Sequence, residues 1–142
     1  MSLNLPDLRD ALAARLAVVE PAAGQRRPQI ERSMKSMITP PSLVVGFPES
    51  VERHHASMGE SRWVMIIFGI GAAGAYDEAA QKQVDAWISD TGPSSVGEIL
   101  EADTTLGGIA EDVTVFENTG YQVFTINNVA YLGTEWKVEI LG

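Results

Sequence analysis

The sequence predicts an α+β fold: a mostly antiparallel sheet flanked by two or three helices and closed by a C-terminal three-strand meander. Three observations carry this. Leu8, Leu12, Leu16 and Val19 recur at helical spacing near the start. Arg62 to Ile70 is apolar without alternation, the mark of a strand buried on both faces. From Asp112 onward the apolar period changes from helical to two. At 142 residues, 45% hydrophobic and 20% charged, the chain makes one domain with a real core, spanning 1–142.

The first helix is predicted over 4–20. Asn4 is its N-cap, Asp7 sits where a carboxylate favours the helix N-terminus, Leu3 and Leu8 occupy staple positions, and Pro21 ends the run. Gln25 to Ser36 holds the one basic cluster, Arg26, Arg27, Arg32 and Lys35, and reads as a strand. Its charges mark either a solvated strand face or a dock for an acidic partner. Ser42 to Phe47 is a short strand fenced by Pro40, Pro41 and Pro48, and Glu49 to Ser61 reads as a polar loop. After the buried strand comes a Gly/Ala turn from Gly69 to Ala75. Asp77 then caps a helix over 77–89 with Ala80, Val84, Trp87 and Ile88 on one face. Gly92-Pro93 breaks the chain, and Ser95 with Glu98 forms a capping box for a helix over 95–102.

The meander is predicted over 112–141, as Asp112–Glu117, Tyr121–Ile126 and Val129–Ile140. Asn127-Asn128 tolerates positive φ and makes a two-residue hairpin turn. That turn sets a register in which Ile126 faces Val129, Phe124 faces Tyr131 and Val123 faces Leu132. Val123, Ala130, Leu132, Trp136, Val138 and Ile140 then share the core face, and Glu135, Lys137 and Glu139 the wet one. Towards the turn the wet face carries Phe124, Ile126, Val129 and Tyr131. A hairpin apolar on both faces near its tip requires a partner, which makes these four the candidate subunit or tube interface. A bulge at Gly133 would shift the parity.

Charge and motifs exclude several functions. A net charge of −9 is wrong for unguided nucleic-acid binding, which needs a basic face. The absence of cysteine removes disulfides, thiolate metal sites and cysteine nucleophiles. Acids stand where a signal peptide carries Lys or Arg, and the uncharged run Trp63 to Tyr76 is too short to span a bilayer; a soluble, cytosolic protein is expected. Gly69-Ile70-Gly71-Ala72-Ala73-Gly74 is a literal GxGxxG after a strand and before a helix. However, the helix starts later, at Asp77, whose carboxylate repels a pyrophosphate, and no second parallel strand follows. A flexible turn fits better than a nucleotide site. His54-His55, with Glu49, Glu52 and Glu60, lacks the spacing that points ligands at one ion, so no metal and no cofactor is expected. No nucleophile elbow, P-loop or HExxH is present, and no enzyme is expected.

From Gly92 the residues resemble a known family. Gly92-Pro93-Ser94-Ser95 opens a short helix ending Leu100-Glu101-Ala102-Asp103, followed by Thr105-Leu106-Gly107-Gly108 and a strand at Asp112. Tyr121 and Tyr131-Leu132-Gly133-Thr134-Glu135-Trp136-Lys137-Val138 complete the pattern. This is similar to the tail terminator (tail completion) proteins of long, non-contractile-tailed phages, particularly of actinobacteria, and of related gene transfer agents. The likeness covers Gly92 to Ile140, is looser for Leu5 to Val19 and Val64 to Ile88, and departs at Gly69 to Gly74. It implies a non-enzymatic virion subunit, assembled in the host cytoplasm as a homo-hexameric ring on the head-proximal end of the tail tube. Its implied partners are copies of itself, the tail tube protein and the head–tail connector, with DNA passing through the lumen unbound. Rival readings are another connector or tail-assembly adaptor, and a nucleotide-binding enzyme built on Gly69 to Gly74.

Overall fold

The computed structural model of the chain describes residues 3–21, 24–35, 38–55, 60–73 and 77–142. It is a mixed α+β fold with three helices and a mostly antiparallel six-stranded sheet. Helix α1 (Leu5–Leu16) is capped by Asn4, whose Oδ1 accepts the Asp7 amide at 3.2 Å. It ends earlier than its apolar spacing predicts. Beyond Leu16 the chain tightens into i→i+3 turns, with the amides of Val18 and Val19 donating to the carbonyls of Arg15 and Leu16, while Val19 stays buried. Helices α2 (Glu78–Ile88) and α3 (Val96–Glu101) start at Asp77 and Ser95 as expected; the Ser95 hydroxyl accepts the Glu98 amide.

The basic segment forms only a three-residue strand, β1 (Gln29–Glu31), parallel to β2 (Ser42–His55). The predicted polar loop 49–61 is instead mostly sheet: β2 runs through to His55 and pairs antiparallel with β3 (Glu60–Ala73). Three register shifts in this ribbon break its alternation, and two of its acids reach across strands, Glu49 to Lys137 at 3.3 Å and Glu52 to Arg62 at 3.8 Å. The glycine turn is corrected likewise, because β3 continues through Gly69 and Gly71 to Ala73.

The C-terminal strands are β4 (Asp112–Asn118), β5 (Gln122–Ile126) and the long β6 (Val129–Leu141). One side of β6 pairs with β3. Its other side is shared end to end, β5 along Val129–Gly133 and β4 along Trp136–Leu141. Every hairpin pair read from the sequence is present, and Asn127 and Asn128 have φ of 51° and 63°. Gly133 introduces no slip on β6; the irregularity lies on β3, between Ile70 and Ala73.

Alternation now sorts two cores. Leu43, Val45, Met65, Ile67, Leu132, Trp136, Val138 and Ile140 turn to the helices and pack with Leu8, Leu12, Leu16, Val84, Trp87 and Leu100. Val44, Ile66, Phe68 and Ile70 turn to the opposite face and pack with Ile38, Phe124, Ile126 and Tyr131. This explains why 64–70 is apolar throughout: each face meets a different cluster.

Candidate assembly surface

The four hairpin residues divide. Phe124, Ile126 and Tyr131 are half-buried against the second cluster, so the partner their exposure called for is largely this chain itself. Phe124 meets Phe68 edge-on at 5.8 Å, and Phe68 meets Phe47 at 5.9 Å, an aromatic row across β2, β3 and β5. Val129 is exposed. Val123 and Ala130, placed by parity on the core face, are exposed too, because the helix-side core reaches along β6 only to Leu132. Beside the tip, Met34, Lys35 and Ile38 with Phe124, Ile126 and Asn127 line a cleft of about 310 Å3.

Apart from Val18 and Met34, the exposed large apolar side chains of the described residues lie at the two sides of the sheet. Phe47 and Val51 lie on β2 beyond its short pairing with β1; Phe116, Tyr121 and Val123 lie along the β4–β5 flank, and Val129 at the β5–β6 hairpin tip. Neither side offers a flat ladder for indiscriminate pairing. On β2, Arg9 extends from α1 and donates to the carbonyls of Val45 (3.1 Å) and Gly46 (2.6 Å) just before the bulges. On β4 a bulge between Val115 and Glu117 leaves Phe116 unpaired and projecting, while Glu101 of α3 accepts the Val115 amide at 3.1 Å.

Between β4 and β5 the chain is pinned by buried Thr134. Its hydroxyl donates to the Gly120 carbonyl at 2.6 Å and accepts from Asn118 Nδ2 at 3.0 Å; Asn118 Oδ1 in turn accepts the Gly120 amide. Gly120 has a φ of 76°, which a side chain would strain. The next residue, Tyr121, donates its hydroxyl to Asp85 on α2. That hydrogen bond chiefly, then desolvation and the negative charge, raises the phenol above its ordinary value of 10.0. The contact therefore contributes fully below pH 10 and is lost as pH rises through the raised value. In an absorbance titration at alkaline pH, Tyr121 is expected to ionise above the ordinary range, and Asp85→Asn to bring it back. A Tyr121→Phe variant that removes no late-titrating component would contradict this.

The face away from the helices carries an ion network. Lys137 lies between Glu49 (3.3 Å) and Glu117 (3.4 Å), and hydrogen bonding to Glu49 first, then Glu117, raises its pKa. The basic cluster is tied into the fold: Arg27 pairs with Glu20, Arg32 with Asp10 on α1, and Lys35 with Glu31, while Arg26 is exposed.

Gly69 and Gly71 are sockets rather than a phosphate loop. A Cβ on Gly69 would stand 2.9 Å from ring atoms of both Trp136 and Trp87, and one on Gly71 would stand 3.0 Å from the Leu132 carbonyl oxygen. Gly74 and the side chains of His54 and His55 lie outside the described residues. Among the described residues no three His, Cys, Asp or Glu side chains gather as metal ligands, and no helix is long and apolar enough to cross a membrane. Sequence reasoning missed Phe47, Val51, Phe116 and Val123. The first three sit in or beside irregular pairing, which hides them from a period-two reading. Neither a scan against protein-family models nor a search of curated proteins finds a match to this chain.

Proposed function

We propose that this chain is a phage tail terminator, the subunit of a ring of six copies. The ring caps the head-proximal end of the tail tube, stops tube polymerisation and presents the surface for head joining. One observation carries the reading beyond the resemblance of Gly92 to Ile140. The exposed apolar side chains fall on both flanks of one sheet, Phe47 and Val51 on β2, and Phe116, Tyr121 and Val123 along the β4–β5 flank of β6, with Val129 at the hairpin tip. A closed ring needs such a heterologous pair of surfaces, whereas a twofold dimer needs only one. The net charge of −9 per copy suits a ring through which DNA passes without adhering.

Native mass spectrometry with electron microscopy is the test. Six-copy rings are expected, alone or on the end of a tube, and addition to polymerising cognate tube protein is expected to halt elongation. Tubes that lengthen unchanged, or a monomer that takes up one NAD, would overturn the proposal.

A further inference from the structure

Beside β1 stands the exposed cation Arg26, and beside β4 a cleft lined by acids. We infer that adjacent copies join with the β1 side of one against the β4 side of the next, Arg26 entering the cleft beside Phe116. The inference rests on the self-assembly just proposed and names its contact.

β1 and β4 lie at opposite ends of the sheet order, each paired with a single neighbour. Around β1 stand Arg26, Arg27, Arg32 and Lys35. The last three already pair with acids of their own chain; Arg27–Glu20 and Arg32–Asp10 are more than half exposed on both sides and exchange partners at little cost, whereas Lys35 holds Glu31, whose side chain is 18% exposed. On the far side, the C-terminal end of α2, helix α3 and β4 enclose a cleft of about 220 Å3. Asp90, Glu98, Glu101 and Glu117 line it, together with Phe116, which is 49% exposed. Glu98, Glu101 and Glu117 are engaged with the Gly92 amide, the Val115 amide and Lys137, respectively. An arginine suits such a site because its planar cation stacks on an aromatic ring while donating to carboxylates. The acids disfavour pairing of β4 against β4, while on the β1 side Glu20, Asp10 and Glu31 offset three of the four bases and leave Arg26 as the exposed cation. A second copy is thus the occupant whose charge complements both sides.

Charge reversal tests this with the full chain. Arg26→Glu alone and Asp90→Lys alone are each expected to weaken self-association about tenfold or more in sedimentation at low ionic strength, with unchanged circular dichroism. An equimolar mixture of the two is expected to assemble again, because in an alternating ring every contact recovers opposite charges. The chain has no cysteine, so Arg26→Cys with Asp90→Cys also offers a clean background for a short thiol cross-linker, expected to yield a ladder that ends at the ring. If both single reversals assemble like the parent, or the mixture gains nothing, the inference is overturned and the ring reading stands. If the parent forms neither rings nor cross-linked ladders, self-assembly itself fails, and this contact with it.

Discussion

Gly133→Ala is expected to destabilise the protein by about 3 kcal/mol or more, lowering its melting temperature by roughly 10 °C. A Cβ at this position would lie 2.3 Å from the Gly69 carbonyl oxygen and 2.6 Å from the ring of Phe124. The carbonyl belongs to β3, the strand paired with β6 at this point, so relief requires the sheet to part rather than a side chain to turn. Phe124 lies diagonally across from Gly133 and covers the place a side chain would take. Gly97→Ala is the control. Gly97 sits inside α3 with nothing within 4 Å of its would-be Cβ, and alanine there is expected to stabilise by about 0.5–1 kcal/mol. Thermal melts of the two variants therefore move in opposite directions. A neutral Gly133→Ala would contradict the close approach of the Gly69 carbonyl to β6.

Trp136→Ala is expected to cost about 3–5 kcal/mol in urea unfolding. Its indole is 2% exposed and lies over Gly69, opposite Trp87, at the place where α2 meets the sheet. The vacated space does not close easily, because Gly69 beneath the indole has no side chain to move in and Ile67, directly opposite Trp136, is already packed in the same core. The loss should also be felt at the cleft between α3 and β4, which Trp136 helps to line. Weakened self-association beyond the stability loss is expected if that cleft receives a neighbouring copy. A Trp136→Ala chain unfolding at the parent urea midpoint would contradict the packing.

The local features were legible because their causes are local. Asn4, Asp77 and Ser95 cap helices through amides two or three residues on, and the paired asparagines set the hairpin register through their own positive φ. The ribbon 49–61 was not legible. Its strands pair with each other as a hairpin, Glu52 opposite Arg62 and His55 opposite Glu60, but bulges interrupt the ladder, so period two never shows. Gly69 and Gly71 misled because glycine has little intrinsic preference for a strand, and here contacts from elsewhere in the chain, Trp136 and Trp87 at Gly69 and the Leu132 carbonyl at Gly71, fill the place of a side chain.

The hairpin shows where the two kinds of information divide. Strand parity and the paired asparagines place Phe124, Ile126, Val129 and Tyr131 on one face, and their apolar character calls for a cover. That Val44, Ile66, Phe68 and Ile70 supply most of that cover, leaving Val129 exposed, follows from the way β2 and β3 are set beside β6. The same holds for charge. Composition determines that the chain is acidic; only the order of the strands sets the basic segment and the acidic cleft at opposite ends of one sheet. Parity and turn geometry act over a few residues, whereas strand order is settled by contacts between segments far apart in the chain.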